Sequence, residues 1–528
     1  MEQTDISDCL IGKIDFAKTN SFTKFFLDYI SGKEELQGFH NGLPTAENLL
    51  SQIDKRNFNN TNRTVLANVL EEQFEGLEVS ELTAANIKSL KENNTYTITT
   101  GHQLNIFTGP LYVIYKIVSI IRPCEELKEL RPDCNFVPVY WMASEDHDFE
   151  EISYFRYNER KFVWDTDQTG AVGRFDPKSI APIFDEIIGI PDFFRKAYLK
   201  QKNLAGAVRF YMNALFGEYG LVTLDADDSR LKALFTDVIE ADIFDNIPEK
   251  EATSTSAQLD DLGYKTQVFP RPINFFYLKE NIRSRIEKQG DIYQVLDSDI
   301  QFTEAQLKEE IQNYPDRFSP NVILRPLYQE YLLPNLAYVG GPSELVYWLQ
   351  LKGIFDHFNQ TFPLLMPRAF AGVLTTNTAR KIEKLGLTWE EVFMPDNDLV
   401  TNKVKEASTY VLDLEAQKRE LKSIFNAAFE QAKKVDITLE KTVLAEHRRG
   451  EKSLEKLEKK LLRAERKNQE VLINRIYAVK DTLFPGGSPQ ERKDNFLNFY
   501  LADNKFIDSC MEAIDPFDYR FHLLSTNE

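Results

Sequence analysis

TYTITTGHQLNIFTGPLYVIYK, residues 95–116, is the stretch on which the fold turns. TYTITT (95–100) is a short run of β-branched and aromatic residues and predicts a strand. PLYVIYKIVSIIR (110–122) is apolar almost all round and predicts a buried helix, with Pro110 suited to its first position. Between them, Gly101 to Gly109 forms a corner of permissive and polar residues. A strand feeding a helix through glycines leaves backbone N–H groups open at the helix start, and those groups with the helix dipole favour an anion. His102 and Gln103 fall just beyond the expected strand end, the edge at which open α/β sheets bind ligands. A tight turn that needs glycine explains the same pattern equally well.

Downstream, NFVPVYWMASEDHDFEEI contains FVPVYWMA, a continuous apolar run of the kind found in a parallel strand covered on both faces. Strand, helix and strand in succession make a βαβ unit, so the expected fold class is α/β with a doubly wound, Rossmann-like parallel sheet. LAYVGGPSELVYWLQLK repeats the grammar of the first corner, again placing Gly-Pro at a helix start, and FPLLMPRAF (362–370) reads as a further buried strand. Residues 1–90 read as a polar helical segment packing on the core. Residues 91–395 form the core, with connecting insertions around 155–300 whose strands and helices cannot be ordered from sequence. Residues 400–482 form a charged helical arm, and 483–528 return to the core.

In the arm, Leu454, Leu457, Leu461, Ala464, Asn468 and Val471 alternate spacings of three and four, a heptad seam in which Asn468 can fix register. The strict pattern meets Arg475. Beyond Asn468 the stripe can continue through Leu472, Ile476 and Val479, the drift of a nearly straight helix. Gly450 reads as the turn of an antiparallel coiled coil, with an earlier helix over roughly 405–447. A dimerisation arm and a solvated hairpin packing on its own domain both fit.

Three constellations carry candidate chemistry. The first is the corner itself, with Gly101, His102, Gln103 and Gly109. The second is SEDHDFEE (144–151), where five acids and a histidine crowd seven positions and repel one another unless a cation or amine meets them. There Glu145, Asp146, His147 and Asp148 can bind an amine, hold Mg²⁺ or act as a general base. Strand-like alternation would send Asp146 and Asp148 one way and His147 the other. The third is ILRPLYQEYLLPNLAYVGGPSE, with Arg325, Gln329, Gly340, Gly341 and Glu344. Glu344 falls in a first helical turn, a standard structural preference. Arg325 and Arg368 each adjoin a proline at a strand edge, and either can clamp a carboxylate or phosphate. No pattern of metal ligands stands out.

Charge and motifs exclude several classes. With 63 basic and 82 acidic residues the net charge is −19, which argues against a nucleic-acid or anionic-membrane binder. The start, MEQTDISDCL, lacks the regions of a signal peptide, and no run of eighteen apolar residues predicts a membrane span. Cys9, Cys124, Cys134 and Cys510 are scattered, as in a cytoplasmic protein with reduced thiols. GxxxxGK[ST], GxGxxG and GxSxG are absent, so a P-loop, the common dinucleotide fingerprint and an α/β-hydrolase elbow are not expected.

Taken together, TGHQLNIFTGPLYVIYK, PVYWMASEDHDFEEI, SPNVILRPLYQEYLLPNLAYVGGPSELVYW, PLLMPRAF and LFPGGSPQER resemble the cysteine-adding enzyme family of bacillithiol biosynthesis. The family more often carries glutamine where His102 stands, which leaves the role of His102 open. The resemblance implies a Rossmann-like core with insertions and a coiled-coil arm that makes a homodimer. It also implies ligation of cysteine to the amine of glucosaminyl-malate, with a nucleotide site for ATP or ADP, beside which the acidic loop can hold Mg²⁺. On that reading the two Gly-Pro corners bind phosphate or the cysteine carboxylate, Asp146, His147 or Asp148 receives the amine and its proton, and an arginine binds the malate carboxylates. LFPGGSPQER is a second candidate for nucleotide contact. A nucleotidyltransferase would instead release pyrophosphate and store a nucleotidyl product. A non-catalytic coiled-coil scaffold would bind neither ATP nor cysteine.

Overall fold

The computed structural model describes residues 9–56 and 58–526. It divides into two units. The first comprises the described residues up to 17, 21–375 and 489 onward, and the second comprises 18–20 and 376–488.

The first unit is built on an all-parallel sheet of β1 (Thr95–His102), β2 (Asn135–Met142), β3 (Val222–Asp225), β4 (Asn335–Gly340) and β5 (Leu364–Pro367). Their spatial order is β5-β4-β1-β2-β3. The chain runs outward from β1 through β2 and β3, then returns to the other side of β1 through β4 and β5. The order therefore reverses between β1 and β4, and ligands of open α/β sheets bind at the carboxyl ends of such a switch point. β4 is buried throughout and β2 from Phe136 onward, which is why both read as unbroken apolar runs. β1 runs two residues past TYTITT, with Gly101 opposite Trp141 and His102 opposite Met142.

Helix α1 (Tyr112–Leu130) connects β1 to β2. It starts two residues after Pro110 and continues through Pro123, where the sequence reading stops. Ile120, Ile121, Cys124 and Leu127 extend its buried face across the proline, and that packing outweighs an interior proline's penalty of roughly 3 kcal/mol. Helix α2 (Pro342–Leu349) follows β4.

The insertion contains an antiparallel sheet in the order 301–303, 292–295, 282–289, 275–279, 318–320. The amino-terminal segment, read as helical, includes a strand at Leu10–Asp15. It pairs with Arg520–Thr526, a partner more than five hundred residues away that local periodicity does not reveal. Phe370–Thr375 completes that three-stranded sheet.

The second unit is helical. Helices α3 (Glu415–Val435) and α4 (Glu440–Asn468) form a hairpin whose turn lies at Ile437–Leu439, not at Gly450. Gly450 is inside α4, where a Cβ would stand 2.9 Å from Leu421 Cδ2, so the glycine marks close helix packing. Most of the heptad seam does not face the hairpin: Leu457 and Leu461 are 47% and 36% exposed, whereas Leu454 is partly covered. After Gln469, α5 (Glu470–Leu483) buries Ile476, Val479 and Leu483, the sideways continuation of the stripe.

Candidate functional site

The carboxyl ends of β1, β2 and β4 meet at a cavity of about 520 Å³ in the first unit. Gly101, His102 and Gln103 line it from β1, Trp141, Glu145 and Asp146 from β2 and its loop, and Tyr338, Glu344 and Tyr347 from β4 and α2. Arg325 and Lys116 enter from helices. The inserted antiparallel sheet closes one side with Phe276, Arg283 and Pro320.

Each Gly-Pro corner has a backbone N–H engaged within the protein. At the first, the Leu111 N–H donates to the Asp494 carbonyl at 2.7 Å. Phe107, Thr108 and Gly109 all take positive φ, and Gly109 (φ 67, ψ −136) is the glycine the bend requires. The bend is pinned from outside: Asn495 Nδ2 donates to the carbonyls of Phe107 and Gly109, and the Phe107 N–H donates to the Tyr198 hydroxyl. At the second corner Gly341 N–H donates to Glu344 Oε1 at 3.0 Å, so α2 is capped by its own side chain. Gly109, Gly340 and Gly341 are not among the lining residues.

Side chains, not helix ends, charge the cavity. Lys116 stands among apolar residues in the first turns of α1, and its ammonium donates to the Gly101 carbonyl and to Glu344, 2.7 Å from Oε1. Burial pushes the Lys116 pKa below its ordinary value. Burial alone would raise the Glu344 carboxyl. The Lys116 charge, the Tyr338 hydroxyl and the Gly341 N–H outweigh it and hold Glu344 at about 2. His102 is half-buried and edge-on to Tyr112, and desolvation with the nearby Lys116 charge lowers it to about 3, so the ring is neutral at physiological pH.

Arg325 starts a helix (Arg325–Leu332) and lies 5.5–5.8 Å from the rings of Trp141, Tyr338 and Trp348. Its Nη1 donates to Gln329, which is buried behind it and does not line the cavity. Its Nη2 is buried with no hydrogen-bond partner among the described residues. A buried guanidinium N–H without a partner costs roughly 1–3 kcal/mol, a cost that an anion placed there would relieve. Arg368 is elsewhere: it makes a buried bidentate pair with Glu491 and stacks on Phe370. Gln490 pairs with both backbone groups of Val373. LFPGGSPQER thus supplies, through Gln490 and Glu491, a staple that fastens the returning chain to the core.

The acidic loop is not strand-like, so the expected alternation does not apply. Asp146 lines the cavity with both oxygens engaged: Oδ1 accepts the N–H groups of His147 and Asp148, and Oδ2 accepts Gln103 Nε2 at 2.8 Å. Burial would raise its carboxyl, but these bonds and the Arg283 charge hold it well below the usual carboxylate range. His147 is half exposed and accepts Arg283 Nη1 on Nδ1 at 2.7 Å. Asp148 caps the short helix Phe149–Ile152. Neither His147 nor Asp148 is among the lining residues. Among the described residues no group of three or more His, Cys, Asp or Glu is arranged to hold a metal ion.

The sequence reading missed Lys116 and Arg283. Lys116 had a signal, the one charge within the apolar run PLYVIYKIVSII. Arg283 had none, because its strand belongs to the unordered insertion.

Two family models together cover nearly the whole chain: "Bacillithiol biosynthesis BshC, N-terminal Rossmann-like domain" matches residues 11–369, and "Bacillithiol biosynthesis BshC, C-terminal coiled-coil domain" matches 371–526. Similar curated proteins carry the name "Putative cysteine ligase BshC". That of Flavobacterium johnsoniae is 40% identical over 98% of this chain and 99% of its own. Those of Cytophaga hutchinsonii and Flavobacterium psychrophilum are 40% and 41% identical, over 97% and 98% of this chain and 98% and 99% of theirs. With a Rossmann-like sheet, a helical hairpin and full-length similarity in agreement, the chain belongs to the BshC family of bacillithiol biosynthesis.

Proposed function

We propose that this protein is a ligase that joins cysteine to the amine of glucosaminyl-malate, with ATP-type activation of the cysteine carboxylate. The observation that carries the reading is the arrangement of charge in one cavity: Asp146 and Glu145 beside Arg283, and an unpartnered Arg325 N–H at the switch point. A ligand bearing both an ammonium and carboxylates matches that set. Asp146, locked in its ionised form, holds the ammonium. Arg283, which stacks on Phe276 at 4.0 Å, faces the malate carboxylates of the same molecule.

Arg325 Nη2 fits the second anion, a carboxylate or phosphate. The glycines of the two Gly-Pro corners, Gly109, Gly340 and Gly341, do not line that cavity, and each corner has one N–H engaged, by the Asp494 carbonyl and by Glu344. The nucleotide, when bound, supplies the activation of the cysteine carboxylate. Trp141, Tyr338 and Phe276 exclude water around the charged groups, which strengthens every interaction there.

The exposed seam supports a homodimer. Leu457, Leu461 and Val471 present apolar surface that the hairpin does not cover, and light scattering should return twice the chain mass.

The test is product formation from cysteine, ATP and glucosaminyl-malate with Asp146→Asn. The expected outcome is a KM for the aminosugar raised by about 10–100-fold, the cost of one lost charge-assisted contact of roughly 1.5–3 kcal/mol. A wild-type KM would remove Asp146 from the site.

A further inference from the structure

We infer that Glu145, rather than its neighbour Asp146, accepts the proton released in amide formation, with Lys232 as its positioning residue. This rests on the ligase reading above and adds the assignment of the base.

The two adjacent carboxylates are wired differently. Asp146 has both oxygens committed to donors from the protein. Glu145 lines the same cavity, yet its one hydrogen bond among the described residues is from Lys232 Nζ to Oε1, which leaves Oε2 open. Lys232 is wholly buried at the end of the short helix after β3, and its ammonium also donates to the Phe318 carbonyl at 2.7 Å. Strand end, helix end and inserted sheet together hold Glu145 in place.

The charged and titratable groups facing Glu145 are Lys232, Asp227, Arg283, Arg174 and Tyr328. Arg174 is itself engaged with both oxygens of Asp227. Burial, with Asp227 nearby, raises the Glu145 carboxyl above its ordinary value despite Lys232 and Arg283. Asp146 moves the other way. A stronger base near the working pH is the better proton acceptor, whereas a carboxylate held far down is a better charge anchor.

The bound ammonium first gives up one proton to water, and the neutral amine nitrogen then donates its lone pair to the activated carboxyl carbon of cysteine. The C–N bond forms as the C–O bond to the nucleotide-derived leaving group breaks. The leaving group departs with the bonding pair, and the nitrogen's proton passes to Glu145 Oε2.

The experiment is the pH profile of kcat in the full-length protein with cysteine, ATP, Mg²⁺ and glucosaminyl-malate. Glu145→Gln should lower kcat by about 10²–10⁴-fold, the usual contribution of a general base, with the aminosugar KM nearly unchanged. The wild-type acid limb should sit above the ordinary glutamate range. Glu145→Asp, which keeps a carboxylate but draws it back from Lys232, should restore part of the rate with a shifted limb. If Glu145→Gln does not fold, the wild type and Glu145→Asp decide: coincident acid limbs overturn the inference. Near wild-type kcat in Glu145→Gln overturns it as well. If the wild type forms no amide, the ligase reading falls first; if it does and Glu145→Gln matches it, the assignment of the base alone falls.

Discussion

The two Gly-Pro corners end neighbouring strands, start helices and look alike in sequence, but they are sealed by different means. The first bends through three consecutive positive-φ residues and is held by Asn495 and by the Asp494 carbonyl, from a segment nearly four hundred residues away. The second uses ordinary backbone, with Gly341 at φ −73, and caps itself through Glu344. Lys116 then joins them, reaching from the helix of the first to the carboxylate of the second. The difference teaches that a glycine-rich helix start is an anion site only when nothing else in the protein takes its N–H groups. Here each corner spends an N–H on structure, and the charge that lines the cavity comes from side chains.

The largest expected effect is on the link between the corners. Glu344→Gln leaves the Lys116 ammonium buried without its counter-charge, and breaking such a pair costs roughly 3–5 kcal/mol. Chemical denaturation measures it. The pH dependence has a defined sign. Glu344 titrates at about 2 against an ordinary 4.5, so its stabilisation is complete above about pH 4.5 and lost as pH falls through 2. The wild type should lose its margin over the variant across that window, and a constant margin would contradict the link.

A smaller effect separates the corners themselves. Gly109→Ala puts a Cβ 2.5 Å from Asn105 Cβ at a left-handed φ and should destabilise by about 2–3 kcal/mol. Gly341→Ala, at a backbone angle any residue adopts, should cost under about 1 kcal/mol. Equal costs would mean that the corners are alike after all. The smallest effect is at His102. Because its ring is neutral across the assay range, His102→Gln should leave the limbs of the kcat pH profile where they are. A displaced limb would make His102 a titrating participant.

The parallel core was legible because β2 and β4 are covered on both faces and so carry no polar interruption, and α1 was legible by length and apolarity. The corner's polar residues were legible as unusual, but their purpose was not. Asn495 and Asp494 supply the missing half of that structure, and no local pattern connects them to Gly109. Arg283 and Phe276 reach the site from an inserted sheet whose strands are short and partly polar, so neither periodicity nor motif placed them. The turn assigned to Gly450 failed for a related reason: glycine serves close helix packing as well as chain reversal, and only the partner, Leu421, tells which.

The most direct test of the convergence of β1, β2 and β4 on one ligand is a crystal structure with glucosaminyl-malate bound. The molecule should sit in the 520 Å³ cavity, its nitrogen against Asp146 and Glu145 and its carboxylates within hydrogen-bonding distance of Arg283. A ligand seated elsewhere, with that cavity unchanged, would contradict it.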